Sequence, residues 1–120
     1  METGIRESIE RFVRAGDEQS KEMLFSVTHP EFRIIAPNFP VPGNTTVLAR
    51  EQFAALLEKK QMGGESRKID FVNWEKVGES AAIVRARLTG QTLVFENAFS
   101  MVKSPEGWKI VQDMAEAKLI

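Results

Sequence analysis

Hydrophobic and polar residues alternate with period two over most of the second half of the chain, and recur with helical spacing over parts of the first half. The longest alternation, Leu93–Met114 (LVFENAFSMVKSPEGWKIVQDM), predicts a β-hairpin turning at Ser104-Pro105-Glu106-Gly107. Pro suits the second position of a type I turn and Gly its end. With Lys103 opposite Trp108, one face carries Phe95, Asn97, Phe99, Met101, Trp108, Ile110, Gln112 and Met114. The other carries Glu96, Ala98, Ser100, Val102, Lys109, Val111, Asp113 and Ala115. The first face is apolar apart from two carboxamides and is expected to be covered by the rest of the chain. The same parity sends Asp113 outward, as a surface or interface residue.

Upstream, Ile5, Ile9, Phe12 and Val13 form one stripe of an amphipathic helix over residues 4–15, with Thr3 as N-cap and Gly16 at its end. Asp17 is placed to cap a shorter helix, about 18–27, with Met23, Leu24 and Val27 inward. Pro30 stops it. A short strand, 32–36, leads into the loop 37–46, whose three prolines exclude a central strand. Its apolar residues Phe39 and Val41 either pack on the domain edge or cover a pocket mouth. Residues 49–61 predict a third helix with Phe53, Leu56 and Leu57 inward, ended by Gly63-Gly64.

Two further strands, Ile69–Lys76 and Ser80–Leu88, are joined through Gly78-Glu79, and Gly90-Gln91 makes the next turn. These turns set Asn73 opposite Val84 and Val84 opposite Asn97, so that both asparagines share the covered face with Gln112. Val72, Trp74 and Ile83 fall on the outer face among charges, with Asp70 facing Arg87 and Arg85 facing Glu96.

Composition narrows the function classes. A single domain is expected from 120 residues, 42% hydrophobic and 28% charged, and its net charge of −1 provides no pull toward nucleic acid or an anionic membrane. Zero Cys removes thiolate chemistry and agrees with a cytoplasmic address. One His and no clustered carboxylates leave no first shell for a transition metal, so neither metal nor cofactor is expected. The opening residues hold no apolar run long enough for a signal peptide or a span.

The predicted elements make an α+β arrangement, three N-terminal helices packed on a curved, mainly antiparallel sheet. In that order the chain resembles the nuclear transport factor 2-like superfamily, within it the SnoaL-like and lumazine-binding branch. The residues carrying the resemblance are Gly16-Asp17, His29-Pro30-Glu31-Phe32, Leu48–Phe53, Phe95–Phe99 and, above all, Val102–Val111. The resemblance implies a cystatin-like cone with a pocket between sheet and helices, and a homodimer through the outer sheet face. Relatives span isomerases, cyclases, dehydratases, hydrolases and binding modules.

The candidate ligand contacts are Asn73, Asn97 and Gln112, with Phe12, Phe53, Phe95 and Phe99 as apolar walls. A buried amide must be paired with a neighbour, a water or a ligand, because leaving it bare costs about 1–3 kcal/mol. Amides orient a ligand without shuttling protons near pH 7. The resemblance often implies an acid where Asn97 stands and a Tyr near Phe12, and this chain has no Tyr. The expectation is therefore a small-molecule-binding domain. The alternative is a SnoaL-like enzyme acting on a hydrophobic ring compound, with its acid or base drawn from Asp17, His29 or the helix-side carboxylates. Whether any ionisable side chain points into the cavity separates the two.

Overall fold

The computed structural model describes all 120 residues. Helices α1 (Thr3–Asp17), α2 (Lys21–Val27) and α3 (Arg50–Glu58) lie against one face of a six-stranded sheet. The strands are β1 (Thr28–Pro37), β2 (Thr45–Ala49), β3 (Lys68–Lys76), β4 (Ala81–Thr89), β5 (Leu93–Ser104) and β6 (Gly107–Leu119). Their order is β2-β1-β6-β5-β4-β3, antiparallel throughout except for β1 beside β6. The fold is α+β, as the residue pattern predicts.

The stripe on α1 buries as expected, with Ile5, Ile9, Phe12 and Val13 in the core. Phe12 meets Phe32 and Phe99 edge-on, at ring separations of 5.5 and 5.6 Å, which ties the helix to β1 and β5. The expected caps differ. Glu2 stands at the α1 N-cap without a capping bond, its carboxylate engaged by Lys76 at 2.8 Å and by the Trp108 indole at 3.2 Å. Ser20, not Asp17, caps α2 by accepting from the Met23 N–H. Asp17 is freed to bind elsewhere.

Two local features overturn the straight-strand register. The first is in the β3–β4 hairpin, where the Val77 N–H bonds the Ala81 carbonyl and puts Gly78, Glu79 and Ser80 in the loop. That longer loop shifts the neighbouring pairs by one, and a bulge at Val72 absorbs the shift, so Phe71 still faces Ala86. Between loop and bulge the faces exchange. Asn73 lies opposite Arg85 on the outer face, and Trp74 opposite Val84 on the helix side. The second feature is in β6, where Met101 faces Ile110 but Ser100 faces Gln112, leaving Val111 as an extra residue. Beyond it Gln112 and Met114 turn out, while Asp113, Ala115 and Ala117 turn in. The turn at Gly90 is displaced too, pairing Leu88 with Phe95 and Ala86 with Asn97, a shift of two positions that leaves the faces unchanged.

Strand β2 overlaps the end of the stretch expected to be loop and takes in Ala49, the expected start of the third helix; it pairs with the end of β1 and narrows the irregular segment to residues 38–44. The turn between α3 and β3 docks on the end of α1. Gly64 N–H bonds the Gly16 carbonyl at 3.0 Å, and Gly63 has φ +75° with no room for a Cβ against that same oxygen.

Candidate functional site

A cavity of about 390 Å³ opens between α1, α3 and the halves of β1, β5 and β6 remote from the Pro105 turn. Its walls are apolar: Phe12, Phe53, Ile34, Leu48, Phe95 and Met62. Ala115 and Ala117 leave it room on the β6 side. Phe39 and Asn38 stand at the mouth, where the loop is held by the Asn38 amide on Glu116 at 3.0 Å and the Thr46 hydroxyl on the Phe39 carbonyl at 2.7 Å. Of the two places open to Phe39, it therefore takes the pocket mouth.

Deep in this cavity sit two neighbouring polar side chains, Asn97 and Asp113, 2% and 4% exposed. The Asn97 Nδ2 donates to Asp113 Oδ1 at 2.7 Å. Asn97 Oδ1 is buried and has no partner in the protein. Burial pushes the Asp113 carboxyl up from 3.8 to about 7, against the opposing pull of the Asn97 hydrogen bond and the Arg67 charge. Desolvation dominates because no cation is dedicated to this acid. Arg67 lines the cavity, but its Nε donates to Asp17 Oδ1 at 2.7 Å and its Nη2 to the Val13 carbonyl at 3.1 Å. Its backbone N–H also reaches Asp17 Oδ2, and its guanidinium rests 5.2 Å from the Phe95 ring centre. Asp17 thus neutralises Arg67 and fixes it as part of the wall.

The expected site residues divide accordingly. Asn97, Phe12, Phe53 and Phe95 line the cavity, while Phe99 is wholly buried behind it against Phe12. Asn73 and Gln112 do not belong to it. The Val72 bulge places Asn73 on the exposed outer face, and the Val111 bulge turns Gln112 away. The row of amides expected across three strands does not exist, and the partner of Asn97 is Asp113. Asp113 itself, expected outside, is the most deeply placed acid in the cavity. His29 lies in β1, its Nδ1 accepting from the Glu31 N–H at 3.0 Å, outside the site. One signal for Asp113 was available: after Val111 the small residues Ala115 and Ala117 share its parity, whereas Glu116 and Lys118 read as a wet face. Arg67, in an irregular Gly-Gly-Glu-Ser-Arg segment, had none.

The family model described as "Putative lumazine-binding" matches residues 1–114. The chain belongs to that family. A search of curated proteins found no match. Among solved structures, an NTF-2 like protein of unknown function from Silicibacter pomeroyi superposes with a TM-score of 0.79 at 13% identity, over 98% of this chain and 93% of its own. A cystatin-like fold protein from Burkholderia xenovorans gives 0.70 at 21% identity, over 97% and 88%. A ketosteroid isomerase-like protein from Erwinia carotovora atroseptica gives 0.74 at 12%, over 94% and 92%. At such identities the likeness fixes the NTF2-like, cystatin-like fold and nothing about chemistry.

Proposed function

We propose that this protein binds a flat, partly apolar small molecule in the cavity, its ring system between Phe12, Phe53 and Phe95 and its polar edge on Asn97 and Asp113. The observation that supports this most is the buried Asn97–Asp113 pair set deep in an apolar cavity of about 390 Å³. Binding sites of this kind are mostly apolar with a few placed polar groups. The family description supports a ligand-binding role, and a heterocycle of the lumazine kind belongs to the same proposal. So do a cytoplasmic address, in keeping with the absence of Cys, and a homodimer through the outer sheet face. Native mass spectrometry of the purified protein tests the binding role. A compound that co-purifies with the wild type should be lost from Ala115→Trp, which fills the cavity. Retention of the compound by a folded Ala115→Trp protein would place binding elsewhere.

A second reading, a SnoaL-like enzyme, is favoured by one observation: an ionisable side chain does line the cavity. An acid poised at about 7 can both take and return a proton near neutral pH. If Asp113 acts in this way, the bound compound should exchange a carbon-bound hydrogen in deuterated water with the wild type and not with Asp113→Asn.

A further inference from the structure

We propose that the cavity selects ligands by a paired donor and acceptor on one edge, an N–H beside a C=O as in a lactam, ureide or imide, and that capture requires a proton on Asp113. This deepens the binding role above and rests on it.

The inference comes from counting hydrogen-bonding atoms. Asn97 Oδ1 is a buried acceptor on a residue that lines the cavity, and nothing in the protein donates to it. A buried amide oxygen in a cavity wall is met only by a donor that enters the cavity. The Asp113 carboxyl uses one oxygen to accept from Asn97, and its other oxygen makes no hydrogen bond to the protein. Protonated, that second oxygen donates; ionised, it accepts. The pair therefore presents an acceptor beside a donor in one state and two acceptors in the other.

The surroundings favour the protonated state below about pH 7. Arg67, on the segment before β3, is the cation within reach, and Asp17 at the end of α1 already matches it at 2.7 Å. Glu65, on the same segment, is engaged with the Thr92 N–H and hydroxyl, and Glu116 of β6 with Asn38. Both are acids, and neither can stabilise a second carboxylate. On β5, Glu96 faces outward to Arg85 and Arg87, and on β1 Arg33 is exposed. On α3 the acids Glu51 and Glu58 are exposed, and Arg50 lies outside the cavity with its guanidinium 3.9 Å over the Phe25 ring. No charge is left to compensate an ionised Asp113, consistent with the rise of its carboxyl to about 7. The protonated pair is complementary to a ligand N–H on Asn97 Oδ1 and a ligand C=O on the acid proton. An edge bearing two acceptors would face Asn97 Oδ1 acceptor to acceptor, and an edge bearing two donors would need the costly ionised acid.

The test uses 2-quinolone, a bicyclic lactam, against N-methyl-2-quinolone, which has the same ring system without the N–H. Calorimetric titration at pH 6 should give at least about tenfold tighter binding of the lactam. Its affinity for the wild type should fall by about a hundredfold between pH 6 and pH 9, tenfold for each unit above the titration of Asp113. Titrations at pH 9 in two buffers of different ionisation heat should show about one proton taken up per ligand, and at pH 6 none. Asp113→Asn, whose amide supplies a donor without titrating, should bind the lactam with an affinity that does not change between pH 6 and pH 9. Equal binding of the two quinolones, abolished by Ala115→Trp, overturns the donor–acceptor selection and leaves the cavity as the binding site. A flat wild-type profile with no proton uptake overturns the requirement for the proton, and needs no variant to fold. Binding of neither quinolone, with no compound co-purifying, removes both this inference and the binding role.

Discussion

Replacing Asp113 with Asn should make the protein more stable, and by an amount that depends on pH in a known direction. The acid is nearly inaccessible, at 4% exposure, and its carboxyl stands at about 7 instead of 3.8. At about 1.4 kcal/mol for each pH unit, that difference is worth about 4 kcal/mol. The sign follows from which state binds the proton more tightly. Here the folded state does, so the favourable contribution is present in full below about pH 4 and is lost as pH rises through about 7. Asn cannot titrate, and its oxygen can still accept from Asn97 Nδ2. The Asp113→Asn variant should match the wild type near pH 4, gain on it through pH 5 and 6, and level off above pH 8 with an advantage of about 2–4 kcal/mol. The lower bound allows for relaxation and for the lost attraction to Arg67. Urea unfolding of both proteins at half-unit pH steps measures this directly. The carboxylates held low by their partners, Glu2, Glu65 and Glu96, are common to both and cancel in the difference. A constant offset between the two stability curves from pH 4 to pH 9 would refute the burial of an uncompensated acid.

Three further outcomes are expected. Phe99→Ala removes a wholly buried ring that meets Phe12 edge-on and should cost about 3–5 kcal/mol, so an unchanged denaturant midpoint would mean that the sheet faces are reversed. Gly63→Ala adds a Cβ against the Gly16 carbonyl at φ +75° and should cost more than about 1 kcal/mol in the same assay; a neutral result would show that the α3–β3 segment does not dock on α1. Ile83, 41% exposed on the outer sheet face, should sit in the proposed two-fold contact, so light scattering at micromolar concentration should give a dimer for the wild type and a monomer for Ile83→Glu, and a wild-type monomer would remove the contact.

How far the residue pattern reveals this structure depends on whether strands keep their parity. The α1 stripe was legible because Ile5, Ile9, Phe12 and Val13 have one helical spacing and nothing interrupts it. The turn at Pro105-Glu106 was legible because Ser104 and Gly107 bracket it, and Lys103 does face Trp108. Counting two residues at a time from that turn then works only as far as Ile110. A bulge adds one residue to one strand, and neither Val111 nor Val72 differs from an ordinary strand valine in any way a pattern can register. Assignments beyond Val111 in β6, and between the Gly78 loop and Val72 in β3, are inverted, which is why parity puts Asn73, Gln112 and Asp113 on the wrong face. The β2 strand was hidden for another reason. It is a short edge element following three prolines, and its pairing with β1 is settled by tertiary position more than by propensity.

The Val111 bulge also explains why the site can exist. Without it β6 would carry Gln112 and Met114 inward, two long side chains where Asp113, Ala115 and Ala117 now stand. Those small residues leave the volume of the cavity, and the acid supplies polarity at its depth. On the turn side of the bulge the same strand presents Trp108 and Ile110 to the packed core, both at most 5% exposed. One inserted residue therefore divides β6 into a half that stabilises the fold and a half that forgoes packing. The forgone part is considerable, since a buried acid that costs about 2–4 kcal/mol above pH 8 lies in the second half, beside the unpartnered amide oxygen of Asn97 on β5. Local features that cost stability where sequence and structure otherwise agree are where function is expected. The two costs meet on neighbouring atoms of Asn97 and Asp113, so a single ligand edge that supplied a donor to one and an acceptor to the other would relieve both at once.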